Sequence, residues 1–451
     1  MNVDRRHSLI QSLLAIVVFN NCASSQAQPP SKSVQIRTVT IPPPDAKSAN
    51  SYFEPHIAVD PENSERLVLA AMFCGRIGDG DDARGDSHLF VLRSENGGRT
   101  WSEPIAPFEN SARRPGRIGA DPVVAVATAG VGWLVGNDYD FPVMGRAAYQ
   151  SVKISRSEDG GTKWNSPITI VELDNDKNGK GVVDKPWLAI DAGPGKRRGT
   201  TYVTWSQLNY DNKRCELWCA ALPPGGVRFT PKVALGEPID LKASTNLIHH
   251  VQLAVRADGT IDAVWRIAPT NRIVHAFSSD GARSFSKPTP IAGDEMNGIG
   301  QFPSLAPCPD GGLLTAWVNH GNVFCSVFAA GHWSAPSGLD DDRAAKSRLS
   351  HPAVAATDAL WVLVYREEES PKRLSVVLCR SEDQGKKWNE FQVLATRTSS
   401  SGKEYNFNPG HYFGLAAANG SIYAAYILPG EGSEAGRSQL YVTAIRATKK
   451  R

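Results

Sequence analysis

A short pattern that returns along the chain constrains its fold more than any other feature. SENGGRTWSEP begins at Ser94, SEDGGTKWNSP at Ser157, SSDGARSFSKP at Ser278 and SEDQGKKWNEF at Ser381, and weaker copies end at Pro231 and Pro336. The aromatic residues of the six copies, Trp101, Trp164, Phe229, Phe285, Trp333 and Trp388, lie 48 to 65 residues apart, a period that belongs to units repeated in space. Each copy reads as a tight turn between strands. Ser and Asp or Asn hydrogen-bond to nearby backbone N–H groups, Gly takes a positive φ, and the aromatic ring packs beneath.

A second repeat lies between these turns, most often a polar residue, Pro and a small apolar strand. It begins at Glu54-Pro55, Asp121-Pro122, Lys185-Pro186, His250-Val251, Phe302-Pro303, His351-Pro352 and Tyr412-Phe413. Each copy leads into a second strand rich in β-branched or aromatic residues. The 40 Gly and 30 Pro are scattered along the chain, which favours many turns and leaves little room for long helices. The expected fold is therefore all-β, a β-propeller of four-stranded blades. Seven blades are favoured, with six as the alternative, and Val34 to Ile41 would supply the outer strand that closes the ring.

The turns resemble the Asp boxes, Ser-x-Asp-x-Gly-x-Thr-Trp, of the sialidase superfamily. Ser94, Asn96, Gly98, Thr100 and Trp101 match that pattern, as do Ser157, Asp159, Gly161 and Trp164; the copy at Ser278 has Ala282 and Phe285 in place of Gly and Trp. The resemblance implies a propeller and a glycan-active enzyme, and sialidases have six blades. It also implies an Arg triad, a Tyr–Glu pair and an Asp acid/base. The family's first triad Arg stands in a Phe/Tyr-Arg-Ile-Pro motif, whereas Tyr52-Phe53-Glu54-Pro55 puts a carboxylate at that place, which would repel sialic acid. No catalytic residue is carried over from the family.

Antiparallel blades put the start of every inner strand, and every connection from second to third strand, on the face opposite the serine turns. That mouth collects the candidate catalytic groups Glu54, Asp121, His250, His351 and Tyr412, with Asp184 and His411 beside them. Candidate substrate-binding groups are Arg76, Tyr139, Lys185, Arg266 and Arg366, since Arg clamps a carboxylate bidentately. Carboxylates such as Asp121 and Glu54 could serve as acid and base in hydrolysis, or His and Tyr as bases in β-elimination of a uronate. A propeller that binds glycan or protein without turnover is the non-catalytic alternative. Asp174, Asp176 and Asn178 carry oxygen ligands at the spacing that opens an EF-hand-like loop, so a structural calcium is an expectation; no cofactor is required.

Arg5 and Arg6, the apolar run Leu9 to Phe19 and the small residues at Ser25 to Ala27 read as a signal peptide over 1–27, leaving 28–451 as one propeller domain. The protein is expected to be secreted or periplasmic, with lipid anchoring through Cys22 the lesser reading and no membrane insertion after the leader is removed. Six cysteines then remain as bridges or buried thiols, and Cys215 and Cys219, four apart on one strand, should not bond each other. The net charge of +3, from 49 basic and 46 acidic residues, supplies no cationic field for nucleic acid. The expected partner is an acidic glycan, met by a monomer.

Overall fold

The computed structural model describes residues 34–44, 51–77, 84–108, 117–140, 149–175, 181–240, 250–267, 272–291, 302–339, 347–369, 372–398, 409–430 and 437–447. The leader 1–27 and Cys22 lie outside them. The protein is all-β: a 3-10 turn at Thr128–Gly130 is the only helical element among the described residues. No helix there is long and apolar enough to cross a membrane.

The strands run up and down in antiparallel sheets, each starting from a short inner strand. The inner strands are Ser51–Val59, Arg117–Val126, Gly181–Ile190, Val251–Val255, Ser304–Pro307, Ser347–Ala356 and Gly414–Ala418. Each packs against the next in chain order, and the last packs against the first, which is the radial layout of a β-propeller. The first two units are joined into one sheet by a single parallel pairing, Ser87 with Ile118. Val34–Ile41 pairs along its whole length with the last strand, Ser438–Ala447.

Burial follows this layout. Second strands such as Leu313–Asn319 are covered on both faces by neighbouring sheets and read as continuous apolar runs. Outer strands such as Ile168–Asp174 are half exposed and mix polar with apolar residues. Trp205, Trp265 and Trp317, at like positions in three successive second strands, are almost wholly buried between sheets. Side chains also join neighbouring inner strands by taking up backbone groups. Val124 N–H donates to His56 Nδ1 (3.3 Å), Leu305 N–H to Gln252 Oε1 (2.7 Å) and Val354 N–H to Ser304 Oγ (3.1 Å). Buried backbone donors need such partners.

The serine turns behave alike. In each, the serine Oγ accepts the N–H of the residue four further on: Gly98 at 2.8 Å, Gly161 at 2.8 Å, Ala282 at 3.0 Å and Gly385 at 2.9 Å. The Asn or Asp two residues after the serine accepts the next free N–H groups, as Asp159 does from Thr162 (3.0 Å) and Lys163 (2.8 Å). The residue whose N–H donates to the serine needs a left-handed backbone, with φ of 91° at Gly161 and 63° at Ala282, so the copy without Gly keeps the geometry at some strain. The turns lie at one end of the sheets: Ser157 pairs with Gly132 and Gly132 with Val126, while Tyr149, Asp140 and Arg117 align at the other.

Among the described residues no two of the six cysteines are joined in a disulfide, Cys215 and Cys219 included. Burial pushes the Cys308 thiol up to about 12, where it is unreactive at neutral pH.

Candidate functional site

Four residues of the polar-Pro repeat, each four or five residues into its inner strand, share an unusual backbone. Glu54 (φ 48°), Asp121 (φ 55°), Lys185 (φ 49°) and His351 (φ 53°) are all left-handed, and each precedes proline. Strand pairing skips at the same place in all four: between Phe53 and His56, Ala120 and Val123, and Ser350 and Ala353, and opposite Thr204 and Ser206 in the third unit. Proline has no N–H to give a ladder, so the dipeptide bulges out of the sheet and re-aims the preceding side chain. A left-handed non-Gly residue costs about 1–3 kcal/mol, and four of them concentrate this strain at one end of the molecule.

Three of these side chains meet. Lys185 Nζ contacts Asp121 Oδ1, lies 3.2 Å from Glu54 Oε1 and is 2.9 Å from His411 Nδ1. Glu54 Oε1 is 2.6 Å from His411 Nδ1 and also accepts the His411 backbone N–H at 3.2 Å. Asn137 Nδ2 donates to Asp121 Oδ2 (2.6 Å) and Asp184 Oδ1 (3.0 Å), and the Tyr139 hydroxyl donates to Val183 O at 3.0 Å, with Asp184 Oδ1 at 3.1 Å. Glu54, Asp121 and Lys185 are 3–4% exposed, whereas the His411 side chain is 50% exposed. His411 is therefore the member of the cluster that meets solvent.

Burial opposes charge on Glu54, yet Lys185 and then His411 outweigh it and hold the carboxyl well below the usual carboxylate range. Burial, followed by the Glu54 charge, pushes Asp121 well up, against the pull of Lys185. The two carboxyls are driven apart, one ionised and one inclined to keep its proton. On Lys185 burial is overcome by Asp121 and Glu54, and the ammonium is held above its ordinary range. With Glu54 ionised, its shorter contact favours a proton on Nδ1, whereas the Lys185 ammonium could bond only to a bare Nδ1, so the two contacts compete for that nitrogen.

Below the charged cluster lies an aromatic layer. The His250 ring meets Trp187 edge-on (4.9 Å), Phe302 (4.7 Å) and Tyr412 in a stack (6.0 Å). Tyr412 donates its hydroxyl across the hub to Pro122 O at 3.1 Å. His250 is 1% exposed, neither ring nitrogen has a hydrogen-bond partner among the described residues, and burial holds its pKa well below the ordinary value. Under this layer the inner strands enclose a cavity of about 250 Å³ that His56 and Trp187 help to line.

The mouth thus brings together Glu54, Asp121, Lys185 and Tyr139, with His250 and Tyr412 beneath. Several expectations need correction. Glu54 and Asp121 do not face each other across an open gap, because the Lys185 ammonium fills it. His351 is bound by Gly410 O (3.1 Å) and Ser350 Oγ (3.0 Å) and stacks on Phe413, so it braces the wall and has no free base to offer. Tyr412 is a buried strut. Arg366 pairs with Glu390 and Glu368 (3.7 Å) and lines a separate groove beside Trp388. Arg266 sits partly buried near the mouth end of Ile261–Ile267, and Arg76 lies opposite Gly85 near the mouth end of Leu67–Ile77. Asp174 ends Ile168–Asp174, while Asp176 and Asn178 lie outside the described residues.

His411, Asn137 and Phe302 carry more of the site than their residue types suggested. The usable signal for His411 was positional, because it stands one residue before the seventh copy as Asp184 stands one before the third.

No protein-family model matches the chain, and no curated protein matches it. Solved structures do. A protein of unknown function from Dyadobacter fermentans is 13% identical, with 92% of this chain and 99% of that one covered and a TM-score of 0.52. The intramolecular trans-sialidase from Ruminococcus gnavus is 12% identical over 72% and 91% of the two chains, with a TM-score of 0.48. An α-L-arabinanase of Penicillium chrysogenum is 14% identical over 90% and 97%, with a TM-score of 0.47. At these identities the likeness is one of fold.

Proposed function

We propose that the mouth is the active site of a glycan-cleaving enzyme in which His411 moves the proton and Glu54 orients it. The observation that carries this reading is the 2.6 Å bond between a buried carboxylate and the Nδ1 of a half-exposed imidazole. That arrangement favours one tautomer and leaves Nε2 for a substrate, the logic by which an orienting carboxylate serves a histidine base. Phe302, 5.4 Å from the His411 ring, offers a flat apolar face to a sugar. A cavity of about 220 Å³ beside Pro409 is lined by Arg348, Lys372 and Arg373 and by Glu367 to Glu369. That mixture suits a hydroxyl-rich ring bearing an acidic group.

Hydrolysis and β-elimination both fit an imidazole acid/base, and a second reading as a lyase draws support from His411 being the one solvent-facing proton carrier of the cluster. The seven inner strands are read here as seven blades closed by Val34–Ile41, in a single domain from residue 28 that is exported by its leader and works as a monomer. Incubation with sialosides, uronate polymers and neutral glycans tests the proposal. Turnover of an acidic glycan is expected, with His411→Ala reducing kcat about 10²- to 10⁴-fold while binding persists. An unsaturated, ultraviolet-absorbing product identifies elimination, and new reducing ends without it identify hydrolysis. Binding without turnover, or full activity in His411→Ala, overturns the reading.

A further inference from the structure

Glu54, Asp121 and His411 each present one atom of metal-ligand type, and these three atoms lie within 4.8 Å of one another. They come from two inner strands and from the connection before a third, Gly414–Ala418, and converge on a single point. That point is filled by Lys185 Nζ, 3.2 Å from Glu54 Oε1, 2.9 Å from His411 Nδ1 and in contact with Asp121 Oδ1. We propose that the three residues form a cation-binding centre in which the ammonium of Lys185 takes the place of a divalent metal ion.

The surroundings are those of a built centre. Glu54 and Asp121 are held by left-handed backbone at bulges, so they cannot simply swing away when the cation changes. Asn137 fixes the second oxygen of Asp121 (2.6 Å), and the His411 backbone N–H fixes Glu54 (3.2 Å), as outer partners orient metal ligands. Gly410 brings the chain so close that a Cβ there would lie 2.2 Å from Glu54 Cγ. The neighbouring His250 is buried with both ring nitrogens unpartnered among the described residues. One imidazole nitrogen and two carboxylate oxygens suit zinc or manganese. Ligand distances of about 2.0–2.2 Å for zinc ask Glu54 and His411 to close by about 1 Å from their present distances to the ammonium, which Asp121 already touches. On ligating through Nδ1, a neutral His411 carries its one ring proton on Nε2. The centre exists whether or not His411 is catalytic.

The test uses the full chain carrying Lys185→Ala, freed of metal by chelator and titrated with zinc chloride or manganese chloride in a calorimeter, with thermal unfolding followed in parallel. One equivalent is expected to bind and raise Tm. Wild-type protein at the same metal concentration is expected to show neither effect, and Lys185→Ala with Glu54→Gln should bind at least about tenfold more weakly. A folded variant that binds nothing, or a wild-type protein that binds equally well, overturns the proposal. So does a variant that stays unfolded with either metal, whereas folding only when metal is present supports it. In wild-type protein, reductive methylation under native conditions followed by peptide mass spectrometry should leave Lys185 unmodified while surface lysines react; a methylated Lys185 in folded protein also overturns it.

Discussion

Replacing Lys185 by Met keeps the length of the side chain and removes its charge, and the structure sets what should follow. The ammonium touches Asp121 and Glu54 where all three residues are 3–4% exposed, so its loss strands ionised Glu54 in a medium that cannot solvate it. Removing one partner of a buried ion pair costs about 3–5 kcal/mol. With an unfolding entropy of about 2.1 cal/mol/K per residue, a 451-residue chain unfolding as one unit would lose roughly 3–5 °C in Tm. The pH dependence gives a sharper check. Lys185 is held above its ordinary range, so its contribution is complete below about pH 10.4 and fully present at neutrality. Glu54 is held below the carboxylate range, so in wild-type protein it adds stability above about pH 4.3 that is lost on further acidification. In the variant Lys185 no longer opposes burial and His411 still does, so the depression weakens and the deficit should shrink as pH falls from 7 towards 4. Urea unfolding of both proteins at pH 7, 5.5 and 4.5 measures it, and adding Glu54→Gln and Asp121→Asn should restore most of the loss. A deficit under about 1 kcal/mol at pH 7, or one that is flat across this range, refutes the account of the cluster.

Gly410→Ala places a Cβ 2.2 Å from Glu54 Cγ at a residue whose φ is +87°, so Glu54 should be driven off His411. If His411 is the proton carrier, kcat should fall about tenfold or more with a Tm loss of only a few degrees, read by steady-state kinetics beside thermal unfolding. His351 is kept neutral by burial, with its pKa lowered to about 4, so it adds stability above its free value of about 6.5 that disappears as pH falls from there to about 4. The shift is worth at most about 3 kcal/mol. His351→Gln should flatten the loss of unfolding free energy between pH 6.5 and 4 in urea titrations, and an unchanged slope would show that the imidazole is not held neutral.

Local chemistry was legible in the sequence, and long-range chemistry was not. Ser157, Asp159 and Gly161 make their turn among themselves, so spacing alone announced it. The polar-Pro repeat was visible as well, because proline marks the bulge in the four copies that form one. What the residues there would do depended on neighbours far away in the chain. Lys185 read as a hand for a substrate carboxylate, but Glu54 and Asp121, 131 and 64 residues earlier, claim it. Arg366 read the same way until Glu390, two strands across the same sheet, neutralised it. His351 shares the left-handed backbone and proline of Glu54 and Asp121 and still faces Gly410 rather than the cluster, a distinction that no short motif carries.

The strand Val34–Ile41 finds its partner only in Ser438–Ala447, and Thr38 shares a hydroxyl hydrogen bond with Thr443 across 405 residues of chain. Contacts so distant in sequence form late and slowly. A ribosome therefore finishes nearly the whole polypeptide before its first strand has anything to dock on, and until then the opening segment stays extended and open to chaperones or to an export channel. Mutations that weaken this seam should act first on the yield of folded protein and only afterwards on the arrangement of the Lys185 cluster.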